Sequence, residues 1–274
     1  MNGMLLSLSR FLGVLALLLV LDASASAQSN KTYQPVPDQP GKDVVWVPTP
    51  PELVEKMLDL AHVTSADYVV DLGSGDGRNV IAAARRGARA LGVEYNPDLV
   101  ALSQRAAEAA GVGRNATFVQ GDMFKADFSQ ATVLALFLMP EHLFALRDKF
   151  FALKPGTRIV SNTFPIEDWD PDETARLPGE CKVWCTALLY VVPAKVQGVW
   201  HLGPGELSLT QEYQTLAGTL TSGSNNAKIS AARMRGNEIH FTVDGRQYVG
   251  RVNGNTMEGT VTAQGQKLGW KATR

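Results

Sequence analysis

A chain of 274 residues that is 45% apolar and 19% charged has enough material for one large core or two modest ones. Its 26 basic and 27 acidic side chains leave a formal net charge of −1, which argues against a nucleic-acid binder, a class that carries a basic excess. His62, His142, His201 and His240 are scattered with no metal-ligand spacing, so no metal site is expected.

The start of the chain reads as an export signal. Arg10 is followed by the apolar run Phe11–Leu21 and by the small-residue site Ala25-Ser26-Ala27. Residues 1–27 are therefore expected to be a signal peptide, cleaved to leave Gln28, and the product to be exported, periplasmic or extracellular. The alternative is an uncleaved membrane anchor, although the apolar run is shorter than the roughly 20 residues that span a bilayer. No stable membrane span is expected after cleavage. Residues 28–43, "QSNKTYQPVPDQPGKD", are polar and proline-rich and read as a linker.

From about residue 44 to 164 helix and strand patterns alternate, which points to a parallel α/β sheet in a domain expected to span residues 44–195. "TPPELVEKMLDLAHV" reads as a helix with Thr49 as N-cap, prolines at the first positions and Glu52 completing a capping box. Leu53, Val54, Met57, Leu58 and Ala61 form its apolar stripe. Strands follow at "DYVVDLG", "ARALGVEY", "ATFVQGDMF", "TVLALFLM" and "TRIVSNTF". Between them lie the helices "RNVIAAARRG", "NPDLVALSQRAAEAAGVG" with Asn96 as cap, and "PEHLFALRDKFFALKPG". "PIEDWDPDETARLPGE" reads as a polar connection and "CKVWCTALLYVVPA" as a long strand. On a straight strand Cys181 and Cys185 stand about 13 Å apart, too far for a disulfide, so a bridge requires a turn or helical shape there. Disulfide and free thiols both remain open.

Residues 196–274 lose the helical pattern. Period-two segments separated by Gly-Asn and Asp-Gly signals predict a small all-β domain, a barrel or sandwich of about six to eight short strands.

Chemistry concentrates in "VVDLGSGDGRN", residues 69–79, where a strand runs into a helix through glycines. Open α/β sheets bind ligands at this place. A dinucleotide loop needs a third glycine where Arg78 stands, and Asp76 would face the pyrophosphate. No Walker sequence is present, and a nucleophile elbow around Ser74 would need glycines where Leu72 and Asp76 stand. A ligand with a cationic end fits better. Asp71 can accept from an ammonium, while Gly73, Ser74, Gly75 and Gly77 let backbone approach it. Glu94, ending the next strand, can take the two hydroxyls of a ribose. Asp122 can accept from the exocyclic amine of a base, with Met123 packed beside it. Ammonium, ribose and adenine in that order describe S-adenosylmethionine.

"VVDLGSGDG", "GVEYN" (which contains Tyr95) and "QGDMF" resemble the seven-strand class of S-adenosylmethionine-dependent methyltransferases, over about residues 44–193. The resemblance implies a Rossmann-like sheet and that cofactor. A narrower likeness, in "DVVWVPTPPELVEKML", "DLGSGDGR" and "FLMPEHL", is to the branch that methylates lysines of mitochondrial inner-membrane proteins and its bacterial relatives. In that branch the "VPT" segment folds over the methionine end of the cofactor, which implies a lid of Val47, Pro48 and Thr49. Trp46 and Pro48 can instead pack the entry to the first helix.

Many methyltransferases that act on nucleobase nitrogens carry [DN]-P-P-[YFW] after the fourth strand, where this chain reads Leu138-Met139-Pro140-Glu141. Phe137, Met139 and Pro140 are expected to form an apolar wall near the methyl group. Glu141 and His142 are candidate proton acceptors, but both also suit a helix start, and no catalytic residue is assigned. The expected acceptor is a protein, with lysine the leading choice, or a small molecule. The rival reading is an exported binding module that keeps the fold without turnover.

Overall fold

The computed structural model describes residues 33–41 and 45–274. The expected signal peptide lies outside them. Among the described residues no helix is long and apolar enough to cross a membrane.

The first region holds α1 (Pro51–Leu60), β1 (Tyr68–Leu72), α2 (Arg78–Arg85), β2 (Arg89–Glu94), α3 (Pro97–Ala109) and β3 (Ala116–Gln120). It continues with β4 (Val133–Leu136), α4 (Pro140–Phe151), β5 (Arg158–Asn162), β6 (Glu173–Arg176) and β7 (Thr186–Val191). The strands form one sheet in the order β3-β2-β1-β4-β5-β7-β6. β1 to β5 pair in parallel, and β7 runs antiparallel to both β5 and β6. This is the expected Rossmann-like seven-strand sheet.

Alternation within the strands explains its two covered faces. Val69, Val133 and Ala135 point into the core shared with α1, α2 and α3, while Val70, Leu72, Leu134 and Leu136 point into the core shared with α4. The continuous apolar run of β4 follows from burial on both sides. The predicted stripe of α1 is buried as a unit.

Three local readings change. The helix α1 begins at Pro51 with Pro50 in the cap position and no side-chain cap. Two consecutive prolines have no N–H to be capped, so Thr49 is released and its Oγ1 accepts from Asn162 Nδ2 at 3.2 Å. The polar connection contains β6, an exposed edge strand whose half-polar pattern hid it. The long strand read at "CKVWCTALLYVVPA" shortens to β7, because Cys181 and Cys185 close a disulfide across a bend, with Cα atoms 5.8 Å apart. The predicted Asn96 cap is present, its side chain accepting from Asp98 N at 2.9 Å.

The second region is all β: β8 (Gly198–Leu202), β9 (Gly205–Glu212), β10 (Thr215–Ser222), β11 (Asn225–Lys228) and β12 (Ser230–Arg235). Then come β13 (Glu238–Val243), β14 (Arg246–Asn253), β15 (Thr256–Ala263) and β16 (Gln266–Thr273). Pairing of β9 with β10 closes eight of these strands into an antiparallel barrel, with β11 extending the β10 hairpin. Of the two predicted architectures it is the barrel. Asp244-Gly245 joins β13 to β14 with φ of 45° and 73°, the left-handed pair that a two-residue hairpin requires. Trp200, Phe241, Tyr248, Met257 and Trp270 fill the interior.

Polar and aromatic contacts join the barrel to the sheet region. Arg233 pairs with Asp172 at 2.7 Å, Gln214 Nε2 donates to the Asp170 carbonyl at 2.7 Å, and the Tyr213 ring stacks on Trp169 at 5.3 Å.

Candidate functional site

In this sheet the strand order reverses between β1 and β4, and the carboxyl ends of β1, β2, β3 and β4 open onto one cavity of about 360 Å³. Asp71 comes from the end of β1, Glu94 from the end of β2, Asp122 from beyond β3 and Phe137 from beyond β4. The cavity is thus laid out along the sheet edge in strand order.

The loop from β1 to α2 is shaped by glycines with positive φ. Gly75 lies at +55°, and a Cβ there would sit 2.7 Å from Trp46 Nε1, so the indole presses directly on bare backbone. Gly77, at +80°, is the N-cap of α2, and a Cβ there would collide with Phe118 and Ser103. Gly77 therefore serves packing behind the loop and does not line the cavity, unlike Gly73, Ser74 and Gly75.

Each carboxylate is held in a distinct way. Glu94 accepts from Gly75 N and from Asn96 N, both at 2.9 Å, one on each oxygen. This fixes the carboxylate plane and leaves lone pairs on both oxygens. Asp122 Oδ1 accepts from Phe124 N at 2.9 Å in a turn of its own backbone. Asp76 pairs with Arg78, whose guanidinium also donates to the Thr49 carbonyl. Arg78, which the sequence presents only as a misfit for a dinucleotide loop, thus ties the glycine loop to the "VPT" segment.

Asp71 differs from the others. It is 3% exposed, and among the described residues its hydrogen-bond donor is Asn79 Nδ2 at 3.1 Å. Burial pushes its carboxyl well above the ordinary carboxylate range, the Asn79 amide offsets this only in part, and the negative charges of Glu94 and Asp76 push it further up. Ser74 Oγ and Asn79 Oδ1 beside it are buried without partners among the described residues. A cation delivered from outside would stabilise this buried carboxyl as an anion beyond what the Asn79 amide supplies.

Pro48, Thr49, Asp76, Tyr95 and Met123 also line the cavity, so of the residues assigned to the cofactor from the sequence only Gly77 stands outside it. Val47 and Trp46 line it too, so the "VPT" segment borders the cavity just before it leads into α1. Phe137 and Met139 line the cavity beyond β4, but Pro140, Glu141 and His142 do not. His142 is buried against the Phe124 ring, with centroids 5.8 Å apart, and this corrects its candidacy as a proton acceptor at this cavity. The first turn of α4 turns Glu141 outward, where it is exposed.

Sequence reasoning missed Asn79, Leu99 and Trp184. Asn79 stands two residues beyond the last glycine and gave no signal except its polarity on an otherwise apolar helix face. Trp184 was hidden by the strand reading of "CKVWC"; a cysteine on each side at close spacing was the available clue.

Comparison with known proteins adds to this geometry. A model for the ANTKMT methyltransferase domain matches residues 71–173. A protein-lysine N-methyltransferase of Saccharolobus islandicus is 40% identical over 152 residues, covering 54% of this chain and 94% of that protein. The adenine nucleotide translocase lysine N-methyltransferase of Mus musculus is 40% identical over 120 residues, 43% of this chain; the chain spans 52% of that protein's length. Among solved structures, an RNA methyltransferase from Salinibacter ruber in complex with S-adenosyl-L-homocysteine shares 45% identity at a TM-score of 0.52. That match covers 55% of this chain and 96% of the other. The domain model ends before the barrel begins.

Proposed function

Because the chain belongs to the ANTKMT family of S-adenosylmethionine-dependent methyltransferases, we propose that it transfers a methyl group to a lysine side chain of a protein. The match to a protein-lysine methyltransferase over nearly that protein's whole length carries this reading.

The residues present fit S-adenosylmethionine on three observations. Among the described residues, Asp71 is a buried carboxyl whose hydrogen-bond donor is a neutral amide, Gly75 leaves no Cβ on the loop, and Ser74 Oγ is a buried polar atom without a partner beside them. The cavity volume suits a ligand of that size. In this assignment Asp71 takes the ammonium, Glu94 the ribose hydroxyls and Asp122 the adenine amine. Gly73, Ser74, Gly75 and Asp76 form the loop beneath, Tyr95 and Met123 flank the nucleoside, and Pro48 and Thr49 close the methionine end. Gly77 shapes the loop from behind.

When bound, S-adenosylmethionine would supply a sulfonium methyl to an acceptor nitrogen that has first given up its ammonium proton to water, the S–C bonding pair returning to sulfur. The protein's part is alignment and exclusion of water. Phe137 and Met139 give the acceptor end an apolar surface, and neither Glu141 nor His142 is placed there to act as a base. Proton loss therefore falls to water.

A second reading, RNA methylation, has the identity to the Salinibacter ruber enzyme in its favour. Against it stand the net charge of −1, the acidic side chains of Asp71, Asp76, Glu94 and Asp122 in the cavity, and Leu138-Met139-Pro140-Glu141 in place of a base-amine motif. Export of the mature chain belongs to the same proposal, supported by the signal-like start and by the Cys181–Cys185 disulfide, a bond of oxidising compartments.

The test is transfer of labelled methyl to an envelope extract, followed by acid hydrolysis of labelled protein. Methyl-lysine in a protein band is the expected result. Label confined to RNA or to small molecules would overturn the lysine reading.

A further inference from the structure

The acceptor end of the cavity is built by an element that the matched domain does not include. The domain match ends at residue 173, yet Trp184, between β6 and β7, lines the cavity together with Phe137 and Met139. β7 lies beside β5, on the opposite side of β4 from Glu94 and Asp122, so Trp184 reaches the cavity from the side away from the nucleoside carboxylates. Its ring meets Phe137 edge-on at 5.1 Å and Phe164 at 5.4 Å, while Phe137 and Phe164 stack at 6.2 Å. Phe137, beyond β4, and Trp184, just before β7, therefore form an aromatic wall of the cavity that Phe164, beyond β5, backs.

Trp184 is held in an unfavourable backbone state. Its φ is +56°, a left-handed conformation that a bulky side chain avoids unless its surroundings impose it. Trp184 lies within the Cys181–Cys185 bridge, which closes five residues into a loop and ends directly at β7. Cys185 is buried and Val183 is exposed, so the loop is anchored at its base and offers Trp184 inward.

We propose that Trp184, positioned by the Cys181–Cys185 disulfide against Phe137 and Phe164, is the specificity-determining wall of the methyl-acceptor subsite, and that this subsite takes an unbranched alkylammonium chain. The inference rests on the methyltransferase reading above. The chemistry follows from the surface: methylenes lie against aromatic rings, and a terminal ammonium is attracted to ring faces. A flat base would need hydrogen-bonding groups that this wall does not offer. The disulfide then governs acceptor recognition without touching the nucleoside end.

The direct test is calorimetric titration of the full chain, saturated with S-adenosylhomocysteine, with butyltrimethylammonium. Saturable binding is expected for the parent. A loss of about tenfold in affinity is expected for Trp184→Ala and for the Cys181→Ser/Cys185→Ser double variant, with recovery in Trp184→Phe. S-adenosylhomocysteine affinity should stay within about twofold in all three variants. In turnover, Trp184→Ala should raise KM for a lysine peptide with kcat nearly unchanged, and a free diamine acceptor separates a protein lysine from a small amine of the same chemistry. Equal probe binding by the parent and Trp184→Ala would overturn the proposal while leaving the methyltransferase reading intact. Absence of S-adenosylhomocysteine binding in the parent would overturn both.

Discussion

The two regions of this molecule solve the problem of buried polarity in opposite ways. Among the described residues, the buried side-chain polar atoms without partners belong to Ser74, Asn79, His142, Arg147, Asn162, Thr163 and Trp169, all in the sheet region. The described barrel residues contribute none: the buried Trp200 donates to the Val196 carbonyl at 2.7 Å, and Trp270 to the Val249 carbonyl at 3.2 Å. The sheet region also carries the buried, raised carboxyl of Asp71, whereas barrel charges such as Arg251 and Glu238 pair at the surface. A region that leaves polar groups unmet is prepared for a ligand, and one that meets them all is prepared to be stable. The contrast points the ligand chemistry to the sheet region.

The sharpest way to break that contrast is to damage the barrel and watch the cavity. Trp200→Ala removes a fully buried indole and should cost about 3–5 kcal/mol of stability, measured by chemical denaturation. Cofactor affinity of the folded fraction should be unchanged. A tenfold loss of affinity would show that the barrel helps to form the site.

Asp71→Asn probes the other region. Removing one member of a buried charge pair should weaken S-adenosylmethionine binding by about 2–5 kcal/mol. The same change should raise the melting temperature of the ligand-free protein at neutral pH. The sign follows from proton binding: the folded state holds the Asp71 proton to higher pH than the unfolded state does. Ligand-free stability therefore falls as pH rises from the ordinary carboxylate value to the raised one, and the amide removes that loss. Cofactor affinity runs the other way. It should fall as pH drops below the raised value in the parent, because the ammonium selects the ionised carboxylate.

Glu94→Gln should have a smaller effect, about 1.5–3 kcal/mol in cofactor affinity, since its carboxylate also orders Gly75 N and Asn96 N. Asn96→Ala tests only the cap of α3 and should cost about 1 kcal/mol in denaturation experiments.

What the sequence could reveal divides along the same line. Period and punctuation exposed β1 to β5, the buried stripe of α1 and the barrel hairpins, because those features are local. The gathering of Asp71, Glu94 and Asp122 was legible as well, since strand ends in a doubly wound sheet share one edge. The missed features depend on contacts distant in sequence. Thr49 bonds to Asn162, Arg78 reaches back to Thr49, and β6 forms because an edge next to β7 is free to be paired. Trp184 lines the cavity from a segment that reads as a strand and is instead bent between two bridged cysteines.

The most direct measurement is titration calorimetry of the purified protein with S-adenosylmethionine, the parent beside Asp71→Asn, at neutral pH and at mildly acidic pH. Binding by the parent that weakens on acidification, and that is lost in the variant, is the outcome the account requires. No heat from the parent at millimolar ligand, or equal binding by parent and variant, would contradict it.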